Sequence, residues 1–166
     1  MGVLGISLLF VGMVLVMNGV SRFCNIDAKS TAFMNLVTGT IIVLCNFIML
    51  TKATEIIEFQ NIASGFLFGF TYLFIAANYL LKLDLRPFGW YSLCVAIYAG
   101  VMSASAFYNA DIRFGLLWGA WTILWLEGFL ELVLKMKLAK FFPYLSIAEG
   151  IFAAFIPSMF MLMNLW

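Results

Sequence analysis

The residues of this 166-residue chain best suited to chemistry lie in one stretch, LWGAWTILWLEGFLEL (117–132). It holds three tryptophans followed by two glutamates, at Trp118, Trp121, Trp125, Glu127 and Glu131. Indole rings offer broad flat surfaces for dispersion contacts, whereas glutamates close to a basic residue favour ion pairing. Because Lys135 follows nearby, we expect the two glutamates to have a structural role in ion pairs.

Catalytic and metal-binding chemistry finds no support elsewhere in the sequence. The chain has no histidine, and its three cysteines, Cys24, Cys45 and Cys94, lack the close spacing of a zinc or iron–sulfur site. No nucleophile with a neighbouring base, no sodium site and no nucleotide-binding loop can be recognised. A net charge of +1 offers no basic surface to nucleic acid. We therefore predict neither an enzyme, nor a cofactor or metal, nor a nucleic-acid partner.

The tryptophans share one face if the stretch is helical. At about 100° per residue, Phe114, Trp118, Trp121 and Trp125 form a stripe, and the two glutamates point to the far side. A position at the membrane interface can explain Trp118, but it explains Trp125 poorly because that residue lies near the middle of the apolar segment. The stripe therefore predicts either a solute pathway or packing against neighbouring helices.

Further candidates lie in other apolar segments. They are Leu4, Leu8, Val11 and Leu15 near the start of the chain, Phe68 and Tyr72 one helical turn apart, and Glu149 near the end. A leucine stripe is most often ordinary packing. Glu149 is different, because it lies about 10 Å deep in its segment, where a carboxylate is costly without a partner or a wet cavity. We expect Glu149 to be functional and to matter more than Glu127, with a buried structural hydrogen bond as the alternative.

The elements that position these residues follow from composition. Hydrophobic residues make up 65% of the chain and charged residues 10%, so the apolar surface cannot all be hidden in a soluble core. The charges leave six apolar spans, at about residues 3–21, 31–51, 62–81, 89–109, 113–134 and 143–165. Each is long enough to cross about 30 Å of hydrocarbon as a helix, and none alternates like a barrel strand. The predicted fold is all-α, with one six-helix membrane domain over residues 1–166.

The distribution of basic residues predicts the orientation of these spans. The first, third and fifth connections carry Arg22, Lys29, Lys82, Arg86, Lys135, Lys137 and Lys140. The other two carry only Lys52 and Arg113. Positive residues favour the cytoplasmic side, so we expect both termini outside the cytoplasm.

The three basic connections also resemble one another. They read DAKSTAFMNL (27–36), DLRPFGWYSL (84–93) and LAKFFPYLSI (138–147), with Lys29, Arg86 and Lys140 in register and an apolar residue seven positions after each. The signal is weak by itself, since basic residues are expected in any cytoplasmic turn. It predicts three tandem helical hairpins packed around a pseudo-threefold axis, with a pore in the protomer.

The chain resembles the AmiS/UreI family of bacterial urea channels and aliphatic-amide transporters. The motifs that carry the resemblance, in the family's order, are NGVSRFCNIDAKSTAFMN (18–35), GFLFGFTYLFIAANY (65–79), LDLRPFGWYSL (83–93), LLWGAWTILWL (116–126) and IAEGIFAAFIP (147–157). The resemblance implies a homohexamer in the bacterial inner membrane and a pore in each protomer. It implies a pore lined by Leu4, Leu8, Val11, Leu15, Phe68, Tyr72, Trp118, Trp121, Trp125 and Glu149.

Two departures from the acid-gated members of that family bear on regulation. Phe114 stands where those members place a further tryptophan, and the second external loop is only about KATEIIEFQN, without histidine. The resemblance thus implies passive permeation of urea or small amides such as acetamide without acid gating, beside a cytoplasmic urease or amidase. The alternative is a proton-coupled amide transporter that uses Glu149 as its proton carrier.

Overall fold

The computed structural model describes residues 2–138 and 140–166, and in this part of the chain the regular structure is helical, without strands. Five long helices come first: α1 (Gly2–Cys24), α2 (Ala28–Leu50), α3 (Ile56–Leu81), α4 (Arg86–Tyr108) and α5 (Ile112–Leu132). A last helical stretch then runs without a break through α6 (Phe142–Glu149), a π-helical segment (Gly150–Phe155) and α7 (Ile156–Leu162). Ala139, which falls within the third predicted repeat, and Met1 lie outside the described residues.

Five helical stretches in the described ranges are long and apolar enough to cross a membrane. They are α1, α2, α3, α4 and the last stretch, Phe142–Leu162. The 21-residue α5 is long enough but is not among these five, and it carries Arg113, Glu127 and Glu131. The prediction of an all-helical membrane protein is therefore confirmed at the level of these five helices.

Polar caps explain why several helices begin before the predicted apolar spans. The Asp27 carboxylate accepts hydrogen bonds from the backbone N–H groups of Lys29 (3.0 Å) and Ser30 (3.1 Å), so α2 starts at Ala28 rather than at 31. The Glu58 carboxylate accepts from the backbone N–H of Glu55 at 3.0 Å, which fixes the first turn of α3 six residues early. Apolar content marks the membrane-crossing part of a helix, whereas caps mark its ends.

The helices close into a ring, because each one contacts the next and the last stretch contacts both α5 and α1. The most extensive packing joins α2 to α3, α4 to α5, and α1 to the last stretch. The predicted hairpins instead paired α1 with α2, α3 with α4, and α5 with the last stretch, and these pairs have less contact. Sequence order groups the helices by their basic connections, but side-chain size decides which faces pack most closely.

Glycines let the closely packed pairs approach. A Cβ on Gly12 of α1 would come within 2.6 Å of the Phe155 backbone nitrogen, and one on Gly150 within 2.9 Å of the Val16 nitrogen. Likewise, a Cβ on Gly39 of α2 would lie 2.8 Å from the carbonyl oxygen of Gly69 in α3. Backbone contact of this kind is how membrane helices pack where apolar side chains gain little by leaving lipid.

The irregular last stretch has a local cause. Pro157 has no N–H group, so the helix loses the hydrogen bond that this position would donate one turn back. The widened π-helical turns directly precede this proline, and they begin at Gly150, where the stretch crosses α1. On the same interface, the Ser146 hydroxyl donates to the Leu15 carbonyl oxygen at 2.7 Å. The last stretch packs along most of α1, since a Cβ on Gly5 would meet Leu162 and one on Gly19 would meet Pro143 and Ile147.

Candidate functional site

Two cavities lie at opposite ends of the helical ring. The wide cavity, of about 600 Å³, is lined at the end where α1 begins, near Gly2, Asn109 and Asp111. The narrow cavity, of about 120 Å³, is lined at the other end, near Arg22 and Phe142. Together they trace a line through the interior of the ring from one end of the bundle to the other.

The cavities share two lining residues, Phe68 of α3 and Trp121 of α5, which we call the aromatic junction. Their ring centroids are 4.8 Å apart with an interplanar angle of 81°. Both side chains are more than nine-tenths buried. The junction is therefore the place where any solute that moves between the cavities must pass flat aromatic surfaces.

The other two tryptophans of the stripe extend the junction in opposite directions. Trp118 lines the wide cavity, with its ring centroid 5.0 Å from that of Trp121. Trp125 lines the narrow cavity, and its Nε1–H donates to the Thr71 hydroxyl at 3.3 Å. The Trp121 Nε1–H has no hydrogen-bond partner within the described residues. The stripe thus faces the cavities and also packs against α3. The two predicted roles, solute pathway and helix packing, therefore belong to the same surface.

The predicted residues of α1 and α3 lie on the same path. Leu4, Leu8 and Val11 line the wide cavity, and Leu15 and Tyr72 line the narrow one. All but Leu4, which is 37% exposed near the end of the helix, are buried. Phe114, the noted departure, also lines the wide cavity, and its ring packs against Trp166 at a centroid distance of 5.6 Å.

Glu149 is the exception among the predicted lining residues. Its side chain is 6% exposed, and its carboxylate oxygens have no hydrogen-bond partner in the described part of the chain. It lies within electrostatic range of Tyr72, but it is not among the described residues that line either cavity. This carboxylate is therefore buried within electrostatic range of Tyr72 and outside the described lining of the two cavities.

The two glutamates of α5 are placed differently from the sequence expectation. Glu131 forms its ion pair with Arg22 of α1, at 3.1 Å, rather than with Lys135. Glu127 lines the narrow cavity together with Trp125, although the two point in nearly opposite directions on an ideal helix. The cavity extends around a broad arc of α5, so it reaches the face on which both glutamates lie.

Comparison with known proteins identifies the family. The profile described as AmiS/UreI family transporter matches residues 3–165. The chain belongs to the AmiS/UreI family. An acid-activated urea channel of Helicobacter pylori is 36% identical over 193 aligned positions, which cover 98% of this chain and 99% of that protein. A putative amidate substrates transporter protein of Mycolicibacterium smegmatis is 33% identical over 98% of this chain and 78% of its own length.

Solved structures of a bacterial urea channel have the same fold. The cryo-EM structure of the Helicobacter pylori urea channel in its closed state superposes with a TM-score of 0.91 at 38% identity, over 98% of this chain and 99% of that chain. The crystal structure of the urea channel from the same pathogen gives the same values. These structural and family neighbours are channels and transporters, not enzymes, as the sequence predicted.

Sequence reasoning missed several polar residues that line the narrow cavity of this AmiS/UreI chain. They are Asn18, Arg22, Thr71, Asn78, Ser92, Glu127 and Glu131. The signal for Asn78 was weak, because it lies about 80° around the helix from Phe68, beside the stripe that continues through Tyr72, Ile75 and Tyr79. No comparable signal existed for Ser92 on α4, since its place depends on how that helix packs.

Proposed function

We propose that this chain is a passive membrane channel for urea, small aliphatic amides such as acetamide, or both. The observation that carries the proposal is the meeting of the two cavities at Phe68 and Trp121, which supplies a path along the axis of the bundle. The lining is formed by the cavity-facing members of the predicted set, namely Leu4, Leu8, Val11, Leu15, Phe68, Tyr72, Trp118, Trp121 and Trp125. The names of the urea channel and amidate transporter relatives support this class of permeant.

The chemistry of the aromatic junction favours a planar neutral solute over an ion. The rings give an amide close dispersion contacts on its flat faces, and the free Trp121 Nε1–H can donate to its carbonyl oxygen. An ion would have to shed its hydration shell there, and indole and phenyl rings do not replace those water molecules. Permeation down a gradient then needs no coupling ion, provided that a cytoplasmic urease or amidase consumes the solute.

We extend the proposal to the whole assembly. α5 is a sixth span, the single domain surrounds one pore in each protomer, and six protomers form the hexamer. The three hairpins are consecutive helix pairs that follow one another around that pore, but they are not the most closely packed helix pairs. The basic connections lie in the cytoplasm and both termini lie outside it, so the wide cavity opens outward from a bacterial inner membrane.

The rival function, proton-coupled transport through Glu149, has less support. A proton carrier must reach the solute pathway during its cycle, and Glu149 is not among the described residues that line either cavity. Acid gating also lacks its usual sensor, because the chain has no histidine and the connection between α2 and α3 covers only residues 51–55. We therefore propose a pore that stays open at neutral pH.

Proteoliposomes containing the full chain test these points. Stopped-flow light scattering would measure swelling in urea and in acetamide at pH 5, 6, 7 and 8, with empty liposomes as the control. We expect swelling without any pH gradient and a rate that varies less than about twofold across this range, since no histidine titrates there. Absence of swelling in both solutes contradicts the channel. Uptake that requires a proton gradient and disappears in Glu149→Gln favours the rival.

A further inference from the structure

Two side chains of the narrow cavity are buried with free hydrogen-bond acceptors. Glu127 of α5 is 3% exposed and Asn78 of α3 is 5% exposed, and both line this cavity. Neither carboxylate oxygen of Glu127 nor the Oδ1 atom of Asn78 has a hydrogen-bond partner among the described residues. Leaving such acceptors buried and unsatisfied is costly, so a site of this kind fits a ligand that brings donors.

Several other polar groups around the cavity are already engaged. Asn18 exchanges hydrogen bonds with Asn35, at 3.1 and 2.8 Å. The Thr71 hydroxyl donates to the Leu67 carbonyl oxygen at 2.8 Å while it accepts from Trp125. Glu131 is neutralised by Arg22. Glu127 and Asn78 are the described lining residues of this cavity whose acceptor oxygens are fully buried without a partner.

We propose that Glu127 and Asn78 form a binding site for the –NH₂ group of a primary amide, which the permeant occupies on the narrow-cavity side of the aromatic junction. This inference rests on the proposed channel function and names the chemical group that the pore selects. A primary amide brings two N–H donors to the acceptors, and its carbonyl oxygen can accept from the free Trp121 Nε1–H in the same cavity.

A cation is the other ligand that carboxylate oxygens attract, and the surroundings disfavour it. From the wide cavity, a cation would have to pass Phe68 and Trp121, whose rings do not replace its hydration shell and whose free polar group is an N–H donor that repels positive charge. A neutral donor does not meet this obstacle.

Competition in proteoliposomes tests the site without requiring a variant. Exchange of radiolabelled urea would be measured after equilibration with unlabelled acetamide or with acetone, which has the same shape but a methyl group in place of –NH₂. We expect acetamide to inhibit at about a tenfold lower concentration than acetone, because hydrogen bonds to a charged or buried acceptor contribute about that factor. Equal inhibition by the two solutes would overturn the proposal. So would stronger inhibition by methylammonium than by acetamide at pH 7.

Variants then assign the discrimination to the two residues. Glu127→Met and Asn78→Leu keep the approximate side-chain size but remove the strong acceptors, and we expect each to reduce the tenfold difference to less than about threefold. Glu127→Gln, which keeps one acceptor oxygen, should give an intermediate value. Unchanged discrimination in all three variants overturns the assignment.

The matched control is Thr38→Val. The Thr38 hydroxyl is also fully buried without a partner, but Thr38 is on α2 and is not among the described residues that line either cavity. Removing it should leave the acetamide-to-acetone difference unchanged, and a loss as large as in Glu127→Met would overturn the proposed site. The two proposals fail separately: absent exchange of labelled urea and labelled acetamide in the wild type contradicts the channel, whereas exchange without acetamide preference contradicts only the amide site.

Discussion

The wide and narrow cavities differ in size and in charge. The wide cavity is about 600 Å³, and its polar lining consists of neutral hydroxyl and amide groups apart from Asp111. That carboxylate is already engaged, since it accepts from the Phe114 backbone N–H at 3.1 Å and caps α5. The narrow cavity is about 120 Å³ and is lined by Arg22, Glu127 and Glu131.

This difference suggests a division of labour along the proposed path. A roomy neutral cavity lets a solute keep much of its hydration while it approaches the junction. A small cavity with free acceptors is suited to replacing that hydration with specific hydrogen bonds after the solute has passed. Size selection then belongs to Phe68 and Trp121, and recognition of hydrogen-bond donors belongs to the narrow side.

The largest expected effect comes from removing part of the aromatic junction that separates the two cavities. Trp121→Ala takes away the ring that both cavities share, so we expect discrimination between urea and the larger butyramide to fall by about tenfold, with expression and assembly nearly intact. Swelling rates in the two solutes measure it. Trp90→Ala is the control, because Trp90 is half exposed on α4 and packs on Phe129 away from the cavities. Loss of assembly with unchanged flux per folded subunit would show that Trp121 serves packing alone.

The next test compares the two buried carboxylates. Glu127→Gln should lower amide flux by about threefold to tenfold, and Glu149→Gln should lower it less, because only Glu127 lines the narrow cavity. This order reverses the one expected from sequence. Labelled-acetamide flux per reconstituted protomer measures it. If Glu149→Gln has the larger effect, the solute path must include Glu149, which is outside the described lining. The proposed difference in function between the two cavities would then be wrong.

A smaller effect on transport is expected on the wide side. A Cβ on Gly65 of α3 would overlap the Asn46 side chain, whose Nδ2 donates to the Ile42 carbonyl oxygen at 2.8 Å. Gly65→Ala should therefore destabilise the protein by about 1–3 kcal/mol, as overpacking does, while flux changes less than about twofold. Thermal unfolding in detergent measures the stability. Gly100→Ala is the control, since its Cβ would lie 3.8 Å from Thr122. A severe loss of flux at unchanged stability would show that the wide side also limits passage.

The smallest effect is expected outside both cavities. Hydrogen bonds from Arg86, at 2.8 Å from Nε to Oδ2, lower the pKa of Asp84 to about 2. A carboxylate with a lowered pKa stabilises the fold above its ordinary pKa, and this contribution is lost as the pH falls towards 2. Asp84→Asn should therefore leave the flux profile between pH 5 and pH 8 unchanged in shape. A new transition in that window would place a pH sensor in this connection.

Residue type and periodicity predicted the helical stripes, whereas their role as a pore lining came from the resemblance to the AmiS/UreI family and stays a prediction. The helical stripes of α1, α3 and α5 each face the interior because apolar and aromatic residues recur at helical spacing, and a ring of helices has one interior to fill. Helix ends were predicted less well, since Asp27 and Glu58 extend helices into polar sequence. The pairing of helices could not be read from repeats, because it depends on where glycines from different helices meet.

The sequence alone determined that the protein lies in lipid and that it is helical. Hydrophobic residues make up 65% of the chain and occur in long runs, and in lipid every backbone N–H and C=O group must find its hydrogen bond within the protein. The tertiary structure decided the role of each carboxylate. Glu127 and Glu149 are both buried acids in apolar helices, and only the packing of the helices makes Glu127 part of a cavity lining while Glu149 is not among the described lining residues. The physical reason is that a charge takes its function from what surrounds it, and its surroundings come from residues far away in the chain.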